Sequence, residues 1–237
     1  MAERIVMQQT GAPEVMQIEP VDLPEPSVGE VQIRQTAIGL NYMDVYQRSG
    51  YYPMDVPSPL GLEAAGEITA VGPNVDDLSV GDRVVYGGVL GAYATHRNAP
   101  AARVLKLPHG ISDEVAAAAL MKGMTAEYLL ERTYKVKPGD KVLFFAASGG
   151  VGQIAGQWGK HVGAEMIGVT SGPENCAAAL AQGYAHAIDR NSEDIAQRVK
   201  EITDGVGVPV VAPKETNIPY TAKQAIEVSK VALPMLS

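Results

Sequence analysis

One short segment, where an apolar strand runs into a cluster of glycines, constrains the fold of this chain more than any other. The almost wholly apolar run Lys141–Ala146 is typical of a strand that is buried on both faces of a sheet. It is followed directly by Ala147, Ser148, Gly149, Gly150, Val151 and Gly152, and then by a helical pattern. Gly149 and Gly150 let the backbone turn tightly beside a pyrophosphate, and Gly152 lets the helix pack closely on the strand. A strand, glycine turn and helix in this order predict a dinucleotide-binding site at the start of the helix.

The end of the next predicted strand bears on which dinucleotide is bound. NAD-binding proteins usually place an acidic residue there, about 20 residues after the glycine turn, to bind the ribose hydroxyls. In this chain the strand Glu165–Val169 is followed by Thr170 and Ser171, with no acid at its tip. Small hydroxyl residues leave room for a 2′-phosphate, so the sequence favours NADPH. Glu174, a few residues later, keeps NADH open as an alternative.

The remainder of the second half alternates between helix and strand. After the helix Val151–His161 and the strand just described, we predict a helix over Glu174–Gln182 that is closed by Gly183 and a further helix over Asp194–Ile202. Val206–Val211 is predicted as the third strand. This alternation predicts a parallel sheet with helical crossovers, that is, a Rossmann-type α/β domain.

The first hundred residues are instead typical of β structure. Short β-prone runs separated by glycine and proline predict strands at Arg4–Gln9, Val15–Glu19, Val31–Ile38, Ala64–Val71, Arg83–Tyr86 and Ala92–Arg97. Short strands at this spacing predict a small barrel or sandwich. Ser112 is then the expected N-cap of a helix through Ala116–Met121, and a second helix is expected at Thr125–Thr133. We place the boundary between the two domains near Gly123.

Composition narrows the class of partner and compartment. The net charge of −8 disfavours nucleic acid or an anionic membrane as the main partner. The single cysteine, Cys176, excludes an intramolecular disulfide and fits a reducing compartment. The amino-terminal residues lack a signal-peptide core, and no apolar run approaches the roughly 18 residues that cross a bilayer. We therefore expect a cytoplasmic protein.

Several motifs give the chain a family resemblance. They are Gly11–Val15 (GAPEV), Gly39–Asp44 (GLNYMD), Gly61–Gly66 (GLEAAG), Gly81–Val84 (GDRV) and Ala147–Gly152 (ASGGVG). In order and spacing, the chain resembles the zinc-independent quinone oxidoreductases, the zeta-crystallin-like branch of the medium-chain dehydrogenase/reductase superfamily, from about residue 3 to residue 211. The resemblance implies a GroES-like β-barrel domain over residues 1–122, a Rossmann domain over 123–211 that is incomplete, and an atypical tail over 212–237.

The resemblance also implies that no metal is bound. Zinc-dependent relatives have a cysteine near position 41 and a histidine at position 62, where this chain has Asn41 and Leu62. The four histidines show no paired ligand spacing, which favours surface or packing roles for them. A quinone is electron-poor and accepts a hydride directly, so it does not need the Lewis acid that an alcohol or aldehyde requires.

Site residues follow from the same resemblance. Asn41, Thr125 and Tyr128 would position the nicotinamide, while Tyr46 and Tyr52 would line the substrate side of a cleft between the domains. The alternative for the two substrate-side tyrosines is that they only pack or cap loops. The resemblance further implies that Glu63 is structural and that Asp44 orients its own loop.

The chain departs from the family pattern in two regions, and the first is the predicted 2′-phosphate site. A lysine that commonly holds the 2′-phosphate is replaced by Asn175, and a tyrosine that often assists is replaced by Arg190. Arg190 could supply the charge in a bidentate manner that Asn175 cannot, so we expect Arg190 to compensate.

The second departure is at the carboxyl terminus. Relatives continue with further Rossmann strands after the strand ending at Val211, whereas this chain has only a tail whose residues Tyr220–Leu233 resemble a short amphipathic helix. A shortened sheet exposes an edge strand, which the tail must cover or another chain must pair with, and we expect a homodimer.

The resulting functional hypothesis is NADPH-dependent reduction of a small-molecule quinone by direct hydride transfer without zinc. The alternatives are an enone or enoyl-thioester reductase, for which Tyr52 is the candidate proton donor, and a non-catalytic protein that retains the dinucleotide site.

Overall fold

The computed structural model describes residues 1–212, which form two compact units, residues 1–121 and 122–212. Most of the expected atypical tail, including the predicted amphipathic helix Tyr220–Leu233, lies outside the described residues.

The first unit is dominated by β structure. Its elements are β1 (Ala2–Met7), β2 (Met16–Val21), β3 (Glu30–Gly39), α1 (Tyr42–Ser49), β4 (Ser58–Pro59), β5 (Glu63–Val71), β6 (Arg83–Gly87), β7 (His96–Pro100), β8 (Val104–Lys106) and the first part of α2 (Asp113–Glu127). An antiparallel five-stranded sheet has the order β7-β3-β5-β6-β8, and a three-stranded sheet has the order β2-β1-β4.

The core of this unit is built from the inward faces of the five-stranded sheet. Val31 and Ile33 of β3 alternate with less buried neighbours and pack with Ile68 and Val84, all of them fully buried. At the far end of the same strand pair, Gly39 lies opposite Glu63. The predicted β domain is confirmed, and its sheet brings the segment after β3 beside the start of β5.

The second unit is an α/β layer structure. After the end of α2, it contains a π-helical turn (Tyr128–Thr133), β9 (Lys141–Phe145), α3 (Gly150–Val162), β10 (Glu165–Thr170), α4 (Pro173–Ala181), β11 (His186–Asp189), α5 (Ile195–Ile202) and β12 (Val210–Ala212). All strand pairs are parallel, and the order is β11-β10-β9-β12.

This strand order confirms the predicted Rossmann-type sheet. The chain moves outward from β9 to β11 on one side and then returns to place β12 on the other side of β9. Ligands of such sheets bind beyond the carboxyl ends of the strands, at the point where the strand order reverses. The glycine turn that follows β9 lies at that point.

The prediction of two separate helices around Gly123 is wrong. A single helix, α2, runs from Asp113 to Glu127 and continues into the π-helical turn. Gly123 weakens a helix by about 1 kcal/mol relative to alanine, but Gly123 and Met124 are both buried, so tertiary packing offsets that local cost. The predicted N-cap is confirmed, since the Ser112 hydroxyl accepts a hydrogen bond from the Val115 N–H.

The short strands β4 and β8 and two further elements were missed by the sequence analysis. One is α1, a helix that is polar on average, which begins at the Asn41–Asp44 pairing and ends at left-handed Gly50 (φ 82°). The other is β11, a four-residue edge strand of which only Ile188 is fully buried. The strand predicted over Val206–Val211 is consequently the fourth of the sheet, and it begins at Val210.

The strand predicted over Ala92–Arg97 is also displaced, because the observed strand is β7. The backbone of the preceding residues bonds to several different segments rather than to one neighbouring strand. The Tyr93 N–H donates to Leu60, for example, while the Tyr93 carbonyl accepts from Ile5. Buried Ala92 and Ala94 give the segment the apolar alternation of a strand, but its backbone does not pair continuously with one neighbouring strand.

Candidate active site

The glycine turn after β9 is shaped by its backbone. Ala146 adopts a left-handed conformation with φ 55°, which is rare for a residue with a side chain. Its carbonyl oxygen accepts a hydrogen bond from the Gly149 N–H at 2.8 Å, and Gly149 is the N-cap of α3. The turn therefore directs the amino terminus of a 13-residue helix toward the carboxyl edge of the sheet. The helix dipole and the first backbone amides favour an anion there.

Gly152 is required by close packing, as predicted. A Cβ at this position would lie 2.5 Å from the Ala147 carbonyl oxygen and closer still to the carbonyl oxygen of Ala146. Neither carbonyl can move without opening the turn. The Gly152 carbonyl also accepts a hydrogen bond from the buried Tyr184 hydroxyl at 2.8 Å, which links α3 to the segment before β11.

Gly150 has a role that sequence reasoning missed. A Cβ on Gly150 would lie 2.7 Å from Cδ of Lys122, so the stem of this lysine lies across the first residue of α3. Lys122 belongs to α2, and no local pattern around the glycine turn points to it. The structure thus brings a long cationic side chain beside the helix terminus that the sequence predicts as the pyrophosphate site.

The carboxyl edge of the sheet brings together the residues predicted to hold the adenosine end of the cofactor. The hydroxyls of Ser148 and Thr170 lie 2.7 Å apart and connect the glycine turn to the end of β10. The Arg190 N–H donates to the Thr170 carbonyl at 3.0 Å, so the exposed Arg190 side chain starts at this edge. The Asn175 amide donates to the Ser171 carbonyl at 2.7 Å.

Asp189, at the end of β11, is a further residue of this edge that the sequence analysis did not single out. Its carboxylate accepts hydrogen bonds from the Gly172 N–H at 2.8 Å, from the Asn191 N–H at 3.0 Å and from the Ser192 hydroxyl at 3.0 Å. These donors, that of Gly172 first, lower the pKa of the Asp189 carboxyl. An acid followed by asparagine and serine after a short β-prone run is a turn signal that could have revealed it.

In the first unit, Asn41 lies between β3 and α1 and is held through its backbone. The Asp44 carboxylate accepts from the Asn41 N–H at 2.8 Å and from the Tyr93 hydroxyl at 2.8 Å. Asp44 is only 4% exposed. Burial, followed by the hydrogen bond to Asp44, raises the pKa of the Tyr93 hydroxyl, so Tyr93 remains a donor. The expectation that Asp44 orients its own loop agrees with these contacts.

Asn41 is also held through its side chain. Its Nδ2 donates to Oε1 of Glu63 at 2.8 Å, and the other carboxylate oxygen of Glu63 accepts from the Met121 N–H at 2.8 Å. Glu63 is fully buried. The Asn41 carboxamide is thus fixed with its NH₂ group toward the interior.

The two tyrosines predicted on the substrate side lie together in an aromatic cluster. The rings of Tyr46 and Tyr52 meet edge to face with centroids 5.4 Å apart, and Tyr42 and Tyr51 each contact Tyr46 at about the same spacing, 5.1 and 4.9 Å. Tyr42 and Tyr51 remain 70% and 61% exposed. The cluster offers a surface to a flat, electron-poor ring.

The remaining predicted residues, Thr125 and Tyr128, belong to the second unit. Thr125 lies in the last turn of α2, and Tyr128 begins the π-helical turn that follows. π-Helical turns are rare and occur frequently at functional sites.

Residues 1–212 contain neither a metal-ligand cluster nor a membrane-spanning helix. No three histidine, cysteine, aspartate or glutamate side chains in this range lie together in a way that could hold a metal ion. No helix in the same range is long and apolar enough to span a membrane.

Comparison with protein families matches both units. Residues 27–109 match the alcohol dehydrogenase GroES-like domain, and residues 150–232 match the zinc-binding dehydrogenase family. A quinone oxidoreductase from Pseudomonas aeruginosa is 46% identical over 213 residues, which are 89% of this chain and 66% of that protein. A 2-haloacrylate reductase from Burkholderia sp. is 44% identical, over 87% of this chain and 64% of the relative.

Among solved structures, the quinone oxidoreductase of Escherichia coli, complexed with NADPH, superposes with a TM-score of 0.93. The match is 35% identical and covers 98% of this chain and 87% of that chain. The present chain spans 64–66% of the length of four curated relatives that are 44–46% identical to it. The fold, the motifs and these identities together show that the chain belongs to the quinone oxidoreductase family of the medium-chain dehydrogenase/reductase superfamily.

Proposed function

We propose that the chain binds NADPH and reduces quinones by direct hydride transfer without a metal. The glycine turn carries this proposal, because a backbone-built anion site lies at the reversal point of a Rossmann sheet in a chain of this family. The solved relative complexed with NADPH supports the choice of cofactor.

The residues of the second unit fit a phosphorylated dinucleotide. A pyrophosphate fits the amino terminus of α3, where Gly152 leaves no space for any side chain between helix and turn. No acid lies at the tip of β10, and the Asp189 carboxylate nearby is directed to backbone and serine donors. The Asn175 amide donates to a carbonyl, so Arg190 is the cation that we assign to the 2′-phosphate.

The residues of the first unit are assigned to the nicotinamide and substrate. Asn41 orients the nicotinamide with Thr125 and Tyr128, while Tyr46 and Tyr52 contact the substrate ring. When bound, NADPH would supply the hydride for an electron-poor acceptor. The Tyr52 hydroxyl is the group that we assign to donate a hydrogen bond to the substrate oxygen. Asn41 and Leu62 do not provide the donor set that zinc prefers, so no step is assigned to a metal.

A second candidate function is the reduction of electron-poor alkenes conjugated to a carbonyl or carboxylate. The similarity to a 2-haloacrylate reductase favours it. Such a reaction needs a proton on the carbon beside the carbonyl, and Tyr52 is the donor that we assign to it. A Tyr52→Phe variant that loses activity on enones only, with quinone reduction intact, would support this alternative.

The first experiment is a fluorescence titration with NADPH and with NADH, followed by addition of a benzoquinone. We expect tighter binding of NADPH and quinone-dependent NADPH oxidation above the uncatalysed rate. Binding without turnover of either a quinone or an enone would instead support a non-catalytic dinucleotide-binding protein. Absence of binding would contradict the assignment of the glycine turn.

Arg190→Ala tests the assignment of the 2′-phosphate. Loss of one charge-assisted contact should weaken NADPH binding about tenfold, while NADH binding stays unchanged because NADH lacks that phosphate. Lys200→Ala, which removes an exposed cation from α5 of the same unit, is the matched control. Equal affinity of Arg190→Ala and the unmodified protein for NADPH would overturn the assignment.

A further inference from the structure

We propose that Thr170 is a positioning residue that acts on the cofactor through Ser148. In this assignment the Thr170 hydroxyl donates its proton to the Ser148 oxygen, and the Ser148 hydroxyl then donates to the pyrophosphate at the start of α3. This role rests on the proposed function, since it needs a dinucleotide at the glycine turn. It involves the second unit only, because both residues belong to that unit.

The two hydroxyls are held beside each other by the backbone around them. Thr170 is the last residue of β10, and Ser148 lies two residues before the start of α3. The Ala147 N–H donates to the Val169 carbonyl at 3.2 Å, so the turn and the strand are joined next to both hydroxyls. The Ser148 carbonyl also accepts from the Gln153 side chain at 2.9 Å. Ser148 Oγ and Thr170 Oγ1 consequently lie 2.7 Å apart, within hydrogen-bond distance.

Burial decides which of the two hydroxyls is the donor. A hydroxyl has one proton to donate and two lone pairs that accept. Thr170 is only 5% exposed, whereas Ser148 is partly exposed. Within residues 1–212, the Ser148 oxygen is the only hydrogen-bond partner of the Thr170 hydroxyl. If Ser148 donated, the Thr170 proton would be buried without an acceptor, and an unsatisfied buried donor is costly. Thr170 therefore donates to Ser148.

The Ser148 proton is consequently directed away from Thr170 and toward another acceptor. Ser148 adjoins the amino terminus of α3, where the first backbone amides and the helix dipole favour an anion. A phosphate oxygen accepts hydrogen bonds, and a bond to an ionised acceptor is stronger than one between neutral groups. Accepting from Thr170 also polarises the Ser148 hydroxyl and strengthens its donation. Because the pyrophosphate is common to NADPH and NADH, this chain of hydroxyls should act equally on both.

Thr170→Val tests the chain of hydroxyls, because it keeps the branched shape of the side chain in β10 and removes the hydroxyl. In fluorescence titrations, we expect the dissociation constants of NADPH and NADH to rise by the same factor, about threefold. Ser148→Ala removes the direct contact and should raise both about tenfold. Thr203→Val is the matched control, since it removes another buried hydroxyl of the same unit, at the end of α5, and should leave both constants unchanged.

Two results for Thr170→Val would overturn the proposal. Unchanged affinity for both dinucleotides would mean that the Thr170 hydroxyl does not orient Ser148. A loss of NADPH affinity without a loss of NADH affinity would mean that Thr170 acts on the 2′-phosphate instead of the pyrophosphate.

The double variant Ser148→Ala with Thr170→Val separates an indirect role from a direct one. If Thr170 acts only through Ser148, the double variant should bind both dinucleotides as Ser148→Ala does, within about twofold. Thr170→Ser restores a hydroxyl at the end of β10 and should recover the affinity that Thr170→Val loses. A further loss in the double variant, beyond that of Ser148→Ala, would show that Thr170 contacts the cofactor itself and would overturn the proposal.

A measurement without cofactor separates this proposal from the proposed function. In ¹³C-labelled protein without ligand, the Thr170 hydroxyl proton should exchange slowly with water and correlate with Thr170 Cβ, because it is buried and hydrogen-bonded. Thr170→Val identifies the resonance by its disappearance. A slowly exchanging proton on Ser148 Oγ instead would reverse the direction of the bond and overturn the proposal. The Thr170 proton in a protein that binds neither dinucleotide would refute the proposed function and leave the direction of the bond intact.

Discussion

The two regions assigned to the cofactor are held in place by different means. The glycine turn of the second unit is fixed by its main chain, through the left-handed Ala146, the Gly149 cap and the absence of a side chain at Gly152. The Asn41 region of the first unit is fixed by buried carboxylates that accept from it. The first arrangement can be recognised as a sequence motif, because its closest contact, at Gly152, admits no side chain. The second depends on residues that are distant in sequence.

This contrast predicts different responses to substitution. Small steric additions should damage the glycine turn, and loss of a hydrogen-bond acceptor should damage the Asn41 region.

The largest effect is expected for Asp44→Ala. The variant leaves the Asn41 N–H and the half-buried Tyr93 hydroxyl without their common acceptor. We expect the free energy of unfolding to fall by about 3 kcal/mol, measured by urea denaturation. Asp77→Ala removes an exposed aspartate of the same unit and should cost less than about 0.5 kcal/mol. Comparable losses in both variants would remove the distinction between the two regions.

Gly152→Ala should follow. The added methyl group would meet two backbone carbonyl oxygens, so we expect a loss of about 2 kcal/mol in unfolding free energy and no measurable NADPH binding by fluorescence titration. Gly150→Ala is the matched comparison, because its methyl group meets the flexible stem of Lys122, which can rotate aside. Both substitutions raise helix propensity equally, so their difference reports the backbone clash. A Gly150→Ala variant as damaged as Gly152→Ala would argue against that interpretation.

Tyr184→Phe tests how much a side-chain hydrogen bond contributes to the glycine-turn region, which is fixed mainly by its backbone. Loss of the bond to the Gly152 carbonyl should cost about 1 kcal/mol. Tyr42→Phe, which removes the hydroxyl of a largely exposed tyrosine, serves as the control. Thermal unfolding of the two variants should differ in midpoint, and NADPH affinity should change little in either.

The smallest expected effect is the response of the Asp189 hydrogen bonds to low pH. The pKa of the Asp189 carboxyl is lowered from its ordinary value of 3.8, so its bonds are fully present above that value and are lost as the pH falls through the folded pKa. The Gly172 amide resonance should therefore shift with a midpoint below pH 3.8. Asp189→Asn should lack this transition. A midpoint above 3.8 would contradict the assigned hydrogen bonds.

Much of the fold was predictable because hydrophobic period and glycine placement are local signals. The buried run of β9, the glycine turn and the closing glycine of α3 identify the Rossmann unit without reference to distant residues. The β-rich first unit was predicted from short runs between turns. Where pairing partners decide the outcome, as at β7 and the edge strand β11, the local pattern misplaced or missed the element.

The site divides in the same way. By itself, the sequence indicated the glycine turn and, through the family motifs, the residues that we assign to the cofactor and the substrate. Only the tertiary structure decided that Lys122 lies across Gly150, that Asp189 accepts from the loop after β10, and that Glu63 accepts from Asn41. The physical reason is that a glycine requirement is set by backbone geometry within a few residues. A buried hydrogen bond instead depends on the sheet register that places Glu63 opposite Gly39, and no local pattern contains that register.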